Sequence, residues 1–510
     1  MARIVEFANR FIWGAPALVL ILTVGIYLSV RTGFVQLTMF PKACRMFRSK
    51  LSRKDPTAGV SPFQALCTAL AATIGTGNIV GVAGAIALGG PGAIFWMWLC
   101  AIVGMMTKFA EATLAVSYRQ RRGGEWVGGP MYMISRGSGE KWGFLAYLYC
   151  FFGVVAAFGV GNATQINAVV TGLNQVISGF GGAVTVRRNL GIGLLLAVPV
   201  GLTLLGGAKR IGAAAQFLVP LAACLYLILG AGVLVLRFQE IPRAFAAILN
   251  GAFSPAAFTG GMVGSWFQAL RVGVSRGVFT NEAGMGTASM AHAAAEVRHP
   301  AEQGLMGIME VFLDTIVICT ITALVILCSG IPISYGTDAG AALTSQAFCA
   351  VYGNWASIFL TFALCFFAFA TVLGWGLYGV RCAEFLFGES SRKYIAFFQT
   401  AMVVLSAVLE TGFIWSLAEL VNGLMAIPNL IALVVLTPRL RELTCQYKKT
   451  FCGNLTACGG TYENFNQCKP LSAFSYEKVP SLRSGSEAAG KEDLPSEYRS
   501  ARSAHSAGVL

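Results

Sequence analysis

The sequence predicts an all-α polytopic membrane protein. Of its 510 residues, 56% are hydrophobic and only 12% are charged, whereas about a quarter of the residues of a soluble domain are charged. Apolar stretches of ~18 residues or more, long enough to cross a hydrocarbon core of ~30 Å, recur along most of the chain. Two of these stretches are interrupted by glycine. The chain is therefore expected to cross the membrane many times and to contain two broken helices.

Eleven apolar stretches are predicted to be transmembrane helices. The first follows Arg3 and Arg10, as a signal peptide would, but it is too long and lacks a small-residue cleavage site, so we interpret it as a retained span. The formal charge of +14 comes from residues scattered through loops, which favours membrane topology over nucleic-acid binding. The predicted spans are at about residues 12–30, 62–88, 93–117, 144–175, 189–206, 211–236, 253–288, 304–329, 355–379, 394–411 and 413–437.

The basic residues predict the orientation of the chain. Lys and Arg are concentrated in alternate loops, beginning with the segment between the first two spans and the loop after the third, whereas the opposite loops carry few. Because basic loops stay in the cytoplasm, the N-terminus is expected outside and the C-terminus inside. The basic loop residues include Arg31, Lys42, Arg45, Arg48, Lys50, Arg119, Arg121, Arg122, Arg136, Lys141, Lys209, Arg210, Arg298, Arg381, Arg392, Lys393, Arg439 and Arg441.

Cysteine and histidine usage argues against a metal centre. Half of the 14 cysteines lie inside predicted spans, as Cys67 and Cys224 do, where they are expected to pack. No Cys-x-x-Cys pair is present, and the chain has only three histidines. The polar, Ser-rich tail at about residues 444–510 is predicted to be disordered.

The two interrupted spans divide the chain into repeats. The second span contains Ala71-Ala72-Thr73-Ile74-Gly75-Thr76-Gly77-Asn78, the seventh contains Thr259-Gly260-Gly261-Met262-Val263-Gly264-Ser265-Trp266, and each has four ordinary spans after it. Since five is an odd number, two successive sets of five spans have opposite orientations, which is typical of an inverted-repeat transporter. The predicted regions are 1–60 (first span and loop), 61–240 (first repeat), 241–443 (second repeat) and 444–510 (tail).

A helix broken at mid-membrane exposes both kinds of backbone group. The N–H groups at the start of the outer half, around Gly77, favour a carboxylate, and carbonyls near Ala71 and Ile74 favour a bare cation. In the seventh span, carbonyls around Gly260, Gly261 and Gly264 would hold an ammonium group. Such a site suits an amino acid accompanied by a cation.

Several motifs closely resemble the alanine or glycine:cation symporter family of bacteria. The resemblance covers roughly residues 10–440 and implies a leucine-transporter-type 5+5 inverted repeat with one extra N-terminal helix. It also implies a protein of the bacterial cell (inner) membrane that carries D- or L-alanine or glycine together with sodium. The motifs that carry it are Gly75-Thr76-Gly77-Asn78-Ile79, Gly89-Gly90-Pro91-Gly92, Thr107-Lys108-Phe109-Ala110-Glu111-Ala112, Gly128-Gly129-Pro130-Met131-Tyr132, Arg276-Gly277-Val278-Phe279-Thr280-Asn281-Glu282-Ala283-Gly284, Asp314-Thr315 and Leu373-Gly374-Trp375.

The resemblance also implies site residues. The substrate is expected to bind at the Thr76–Asn78 break and to contact Gln165, Phe267 and Trp375. Sodium is expected to bind to the carbonyls of Ala71, Ile74 and Phe367 and to the hydroxyl of Thr371. This chain has Ala370 where the family pattern has a serine, so one hydroxyl ligand is missing. The alternatives are a structural hydrogen bond for Gln165 and its neighbour Asn162, and packing for the two aromatic residues.

Buried carboxylates keep proton coupling open as an alternative. Asp314 and Glu310 lie one turn apart in the eighth span, where they would shuttle protons or pair with Arg271 or Arg276. Lys108 and Glu111 are spaced to neutralise each other, and Glu282 is a candidate gate residue. No nucleophile elbow, His-Glu-x-x-His pair or Walker loop is present, which argues against an enzyme. A channel or receptor is the less favoured alternative, because paired broken helices suit alternating access.

Overall fold

Helices form nearly all the regular structure of the described residues. The computed structural model describes residues 2–51, 59–254, 259–260, 265–337, 340–409 and 412–452. These residues belong to one compact unit, Met1–Cys458. The predicted tail lies largely outside the described residues, although a helix continues past its expected start to Cys452.

The described residues of the first half of the chain form thirteen α-helices, two π-helical segments and one β-hairpin. They are α1 (Ala2–Ile12), α2 (Ala15–Thr32), α3 (Val35–Thr38), α4 (Phe40–Leu51), α5 (Pro62–Thr73), π1 (Gly77–Gly81), α6 (Val82–Gly89), α7 (Ala93–Ser117), β1 (Gln120–Arg122), β2 (Glu125–Val127), α8 (Pro130–Gly137), α9 (Gly143–Phe158), π2 (Gly159–Ala163), α10 (Thr164–Gly179), α11 (Val186–Leu204), α12 (Gly207–Leu236) and α13 (Ile241–Gly251).

The second half continues with helices of the same kind. They are α14 (Trp266–Asn281), α15 (Ser289–Ala293), α16 (Pro300–Val311), π3 (Phe312–Cys319), α17 (Thr320–Cys328), α18 (Gly340–Tyr352), α19 (Trp355–Phe387), α20 (Ser391–Ser406), α21 (Gly412–Val435) and α22 (Thr437–Cys452).

The described residues contain six helices long and apolar enough to cross a membrane, or up to eight if each of two bent pairs counts as one span. One bent pair is Pro62–Thr73 with Gly77–Gly89, which meet at 53°. This pair confirms that the second predicted span is broken at its glycines. The protein is therefore a multi-pass membrane protein, while the count of eleven spans and the repeat of five plus five stay predictions.

Local sequence signals explain where these helices begin. The α5 helix starts with Pro62, and the Ser61 hydroxyl accepts from the Gln64 N–H while the Gln64 side chain accepts from the Ser61 N–H. This capping box satisfies two backbone donors that a helix otherwise leaves without partners. Pro300 likewise opens α16, because proline at the first helical position loses no hydrogen bond.

A cluster of charges joins the hairpin to the ends of two long helices. Glu125 of the hairpin binds Arg381 of α19 at 2.6 Å and Arg392 of α20 at 2.9 Å. Arg381 also binds Glu384 at 2.8 Å. Burial raises the pKa of Glu125, but the two arginines outweigh this effect and hold the pKa below its ordinary value. All these residues lie on the face predicted to be cytoplasmic.

The α19 helix packs closely against α5, and glycine makes this approach possible. A Cβ atom added to Gly374 would lie 2.9 Å from the backbone nitrogen of Ala72 and 3.1 Å from its Cα atom. Backbone atoms cannot rotate away as a side chain does. The contact fixes the position of α19 beside the end of α5, where the second span breaks.

We expect Gly374→Ala to lower the melting temperature of the detergent-purified protein. The added methyl group would overpack the contact with Ala72, at a cost of about 1–3 kcal/mol. Gly191→Ala in α11 is the matched control, because a Cβ atom there meets nothing within 4 Å. Thermal denaturation followed by size-exclusion chromatography measures both variants. Equal melting temperatures for the two would contradict the packing described here.

Candidate functional site

The break in the second span results from a side chain that replaces a helical partner. Ile74 donates the last regular bond, from its N–H to the Leu70 carbonyl at 2.7 Å. The Gly75 N–H instead donates to Oδ1 of Asn78 at 3.0 Å. In a continuous helix this N–H would bind the carbonyl of Ala71. The Ala71 carbonyl therefore loses its helical donor at the point where a cation was predicted.

Asn78 also fixes the break to a neighbouring span. Its Nδ2 donates to Oδ1 of Asp314 at 2.7 Å and to the Asp314 carbonyl at 3.2 Å. Both residues are completely buried. Asn78 was predicted to contact substrate, but here its side-chain oxygen and nitrogen both bind protein groups. Its geometry is that of a residue that holds the break open.

Three polar side chains converge on Gly75. Oγ1 of Thr76 lies 3.4 Å from Nε2 of Gln165, so the structure brings these two predicted substrate residues together. A Cβ atom added to Gly75 would lie 2.8 Å from Oγ1 of Thr371 and 3.6 Å from Oε1 of Gln165. Only glycine leaves room for these oxygens beside the backbone.

The predicted cation ligands lie on both sides of this point. Oγ1 of Thr371 donates to the Phe367 carbonyl at 3.0 Å, and both residues are buried on the face of α19 that meets the break. Ala71 and Ile74 precede Gly75 along the chain and are buried as well. The groups at the site are carbonyl and hydroxyl oxygens, which are the ligands that hard cations prefer. Ala370 is also buried and contributes no hydroxyl.

The second deeply buried non-helical segment lies at Glu282–Ala288, after α14. Glu282 and Gly284 have positive φ angles of 53° and 97°. Thr280 faces the first break, since a Cβ atom added to Gly77 would lie 3.3 Å from its Cγ2 atom. The chain therefore places a buried irregular segment next to the first break, within the predicted seventh span.

Of the break predicted in the seventh span, at Thr259–Ser265, the structure describes Thr259, Gly260 and Ser265. Nε2 of Gln268 donates to the carbonyl of Leu88 at 3.5 Å, so α14 begins level with the end of α6. Gly260 is exposed, and a Cβ atom there meets nothing within 4 Å. Gly261 and Gly264 lie outside the described residues. The glycine cluster therefore does not bring Gly260 to the first break.

The two predicted aromatic residues have different positions. Trp375 is buried, and its Nε1 donates to Oε1 of Glu282 at 3.1 Å. Its Cβ atom also lies directly against Gly161, one turn before Gln165. Phe267 is 51% exposed and packs on Trp266. Since Phe267 precedes Thr280 by thirteen residues of one helix, the two lie ~20 Å apart, and the structure does not bring Phe267 to the break.

Asn162 and Gln165 do not form one polar patch. Nδ2 of Asn162 donates to the carbonyl of Gln399 in α20 at 2.8 Å, whereas Gln165 faces Thr76. The reason is that Asn162 lies in the π-helical segment Gly159–Ala163, whereas Gln165 lies in the α-helix that follows. A π-helix has more residues per turn than an α-helix, so the expectation that residues three apart share one face does not hold here. The alternative interpretation, a structural hydrogen bond between helices, is therefore correct for Asn162.

The buried charges pair differently from the sequence prediction. Nζ of Lys108 binds Oε1 of Glu310 at 2.9 Å, and Nε2 of His292 lies 2.8 Å from Oε2 of the same carboxylate. The predicted pairs of Lys108 with Glu111 and of Glu310 with an arginine are not formed. Interhelical contacts override the spacing along one helix because α7 and α16 pack side by side.

Glu111 instead binds the second irregular segment. Its Oε1 accepts from the N–H groups of Gly284 at 2.9 Å and Gly286 at 3.1 Å, and from Nδ2 of Asn429 at 2.7 Å. Successive backbone N–H groups of this kind form an anion-binding nest. A carboxylate from α7 thus stabilises the irregular backbone of the second segment.

Asp314 links the two irregular segments. Its Oδ1 binds Asn78 of the first break, and its Oδ2 accepts from Oγ1 of Thr315 at 2.8 Å. Thr315 in turn accepts from Nδ2 of Asn281 at 3.2 Å, at the end of α14. Sequence reasoning missed the roles of Thr280 and Asn281. A Thr-Asn pair followed closely by Gly284 and Gly286 repeats the composition of the first break and was the available signal.

The fold and the site define the class of protein. Two irregular backbone segments meet inside a bundle of apolar helices and present oxygen and amide groups to each other, as in secondary transporters. The chain belongs to the sodium:alanine symporter family, whose family model matches residues 1–455. This membership confirms the resemblance noted in the sequence. It also establishes cation-coupled amino-acid symport as the activity of the family, which is a transporter family and not a family of enzymes.

Relatives of known sequence agree with this assignment. The chain is 44% identical to an uncharacterized transporter of Haemophilus influenzae, covering 87% of this chain and 95% of the relative. It is 43% identical to the sodium/alanine symporter AgcS of Methanococcus maripaludis, covering 85% and 94%. Among solved structures, MhsT in complex with L-phenylalanine is similar at 14% identity, with 75% and 88% covered and a TM-score of 0.49. That last likeness is too low to define the fold.

We expect Lys108→Met to destabilise the purified protein strongly, because it leaves Glu310 buried without its cation. Breaking a buried ion pair on one side costs about 3–5 kcal/mol. The double variant Lys108→Met/Glu310→Gln should recover part of this loss, since glutamine is neutral and its oxygen still accepts from His292. Melting temperatures of the single and double variants measure the effect. A double variant that is less stable than Lys108→Met alone would contradict the pairing.

Proposed function

We propose that the protein is a symporter that couples inward sodium movement to uptake of a small neutral amino acid, alanine or glycine, by alternating access. One observation carries this proposal: Thr76, Gln165 and Thr371 converge on Gly75 at the break of the second span. Family membership supports the coupling to a cation, and the name of the relative AgcS supports sodium and alanine.

The break separates two chemically different ends. On the inner side, the Ala71 carbonyl and the Thr371 hydroxyl offer oxygens to sodium, together with the carbonyls of Ile74 and Phe367. On the other side, the first N–H groups of π1 have no earlier helical turn to donate to, and they suit a carboxylate. Sodium and the carboxylate of the amino acid would then lie next to each other.

The surroundings of Gly77 favour a small substrate. Thr280 would lie within 3.3 Å of a Cβ atom on Gly77, and Phe279 within 3.8 Å. Trp375 closes another side next to Gly161. Such close approach leaves little space for a long substrate side chain, which supports alanine or glycine over larger amino acids.

The proposed orientation of the protein in the membrane follows from the distribution of its basic residues. We infer a location in the bacterial cell membrane with the N-terminus outside and the C-terminus in the cytoplasm, because the basic residues lie in alternate loops. One net charge moved inward gains about 2.3 kcal/mol per 100 mV. A sodium ion carried with a zwitterion therefore supports accumulation of the amino acid without ATP.

Proton coupling is the second candidate, and Asp314 favours it. Among the contacts of the described residues, its partners Asn78 and Thr315 are neutral, whereas Glu310 binds Lys108. An ionised carboxylate buried without a cation is unfavourable by several kcal/mol, so Asp314 would take up a proton or attract a cation. Uptake that persists without sodium and is lost in Asp314→Asn would favour this candidate.

We expect replacement of sodium by choline at fixed pH to abolish concentrative alanine uptake into proteoliposomes. Thr371→Val should raise the sodium concentration for half-maximal uptake by about tenfold, because one oxygen ligand is removed. Thr361→Val is the matched control: Thr361 lies on the same helix and donates to the Ser357 carbonyl at 2.9 Å, as Thr371 does to Phe367. Undiminished uptake in choline would reject sodium coupling.

We expect Ala370→Ser to lower the sodium concentration for half-maximal uptake, because serine restores the hydroxyl that this chain lacks next to Thr371. Sodium titrations of alanine uptake by the variant and the original protein measure the change. Ala368→Ser, two residues away on α19, controls for a general effect of a buried hydroxyl. A shift of equal size in both variants would contradict a specific sodium site.

We expect labelled alanine uptake to be competed strongly by unlabelled glycine and serine, and weakly by leucine, because Thr280 and Phe279 restrict the space beside Gly77. Competition at equal concentrations of each amino acid measures this order. Thr280→Ser removes the methyl group nearest Gly77 and should increase competition by leucine. Strong competition by leucine in the unaltered protein would contradict a small-substrate site.

A further inference from the structure

A cavity of about 260 Å³ lies between α14, the end of α6, the junction of α1 with α2, and the start of α21. Leu88 forms part of its wall, so the cavity lies at the end of the protein predicted to face outward. Its polar and aromatic lining consists of Asn9, Trp13, Arg271, Ser275, Arg276, Phe279 and Glu419. None of these residues was assigned to the substrate site above, except that Phe279 lies next to Gly77.

The cavity leads toward the first break. Arg271, Ser275 and Phe279 line it at intervals of four residues along α14, and side chains with this spacing lie on one face of a helix. Arg271 is exposed, whereas Phe279 is only partly so. Phe279 and Thr280 then approach Gly77. From Arg271 to Phe279 the helix rises ~12 Å, so one row of side chains connects the cavity mouth to the break.

The charges in the cavity match those of an amino acid. Arg271 and Arg276 supply two guanidinium groups, which bind carboxylates with two parallel hydrogen bonds. Glu419 supplies a carboxylate, and the Glu419 carbonyl accepts from Nε1 of Trp13 at 2.9 Å, which ties the start of α21 to the junction of α1 with α2. An α-amino acid zwitterion carries its ammonium and carboxylate groups on the same carbon, and a cavity with charges of both signs complements it. A purely apolar or purely basic cavity would not complement both charges of a zwitterion.

We propose that this cavity is an entry subsite that holds the zwitterion of the amino acid before it reaches the break, with its carboxylate at Arg271 and Arg276 and its ammonium group at Glu419. Phe279 separates the subsite from Gly77 and must move aside when the substrate passes. The inference rests on the proposed function, because it assumes that an amino acid is the cargo. The entry subsite is a second binding site for the amino acid, and its arginine and glutamate residues recognise the two charges of the zwitterion.

The test is labelled alanine uptake into proteoliposomes by Arg271→Gln and Arg276→Gln. We expect each variant to raise KM about tenfold with little change in Vmax, because capture is weakened and the break is intact. Arg271→Lys keeps the charge and should largely preserve KM. Arg243→Gln is the control, because Arg243 lies on the same predicted side but is exposed, lies outside the cavity lining and pairs with Glu240 at 3.3 Å.

Ionic strength gives a readout that a structural role would not produce. Added choline chloride at constant sodium should raise KM for the unaltered protein, since salt screens charges over ~10 Å, and should have less effect on Arg271→Gln. Unchanged KM in both glutamine variants, or a fall in Vmax alone, would overturn the subsite. Loss of concentrative uptake by the unaltered protein would instead reject the proposed function, so the two failures are distinguishable. Size-exclusion profiles show whether each variant is folded.

Discussion

The hydrogen bonds of Asn78 are the interaction on which the site depends. A backbone N–H inside a membrane must have a partner, because no water is available and an unsatisfied group costs several kcal/mol. Asn78 supplies that partner for Gly75, so the helix can end at Thr73 and start again at Gly77 without leaving the Gly75 N–H unsatisfied. The same side chain binds Asp314 through its nitrogen. One residue therefore both permits the break and determines which span lies beside it.

Asp314 extends this constraint to the other half of the protein. Through Thr315 it reaches Asn281, where α14 ends and the second irregular segment begins. Glu111 holds the glycines of that segment, and Glu282 binds Trp375 of α19. Side chains from other helices thus bind to both irregular segments. A displacement of one segment must change hydrogen bonds at the other, which is the kind of linkage that alternating access requires.

The sequence predicts features that depend on hydropathy and on single broken helices. The apolar spans and the break at Gly75 follow from composition and from glycine beside polar residues, and Thr76, Gln165 and Thr371 do come together. Features that depend on packing between helices are not predictable in this way. The buried irregular segment at Glu282–Ala288, for example, is recognised by the polar residues Thr280 and Asn281 before its glycines. The π-helical turn at Gly159–Ala163 likewise separates Asn162 from Gln165, because spacing rules assume an α-helix.

The short distance between the two ends of the break explains why the proposed cation and amino acid would be transported together. The Ala71 and Ile74 carbonyls assigned to sodium and the N–H groups assigned to the carboxylate belong to residues 71–78, and Thr371 lies beside Gly75 between them. Opposite charges attract far more strongly in the low-dielectric interior than in water, so each ligand would stabilise the other. Either ligand alone would leave part of the break unsatisfied. A cation site that depends on the substrate carboxylate tolerates Ala370 in place of a hydroxyl, because the carboxylate itself contributes an oxygen.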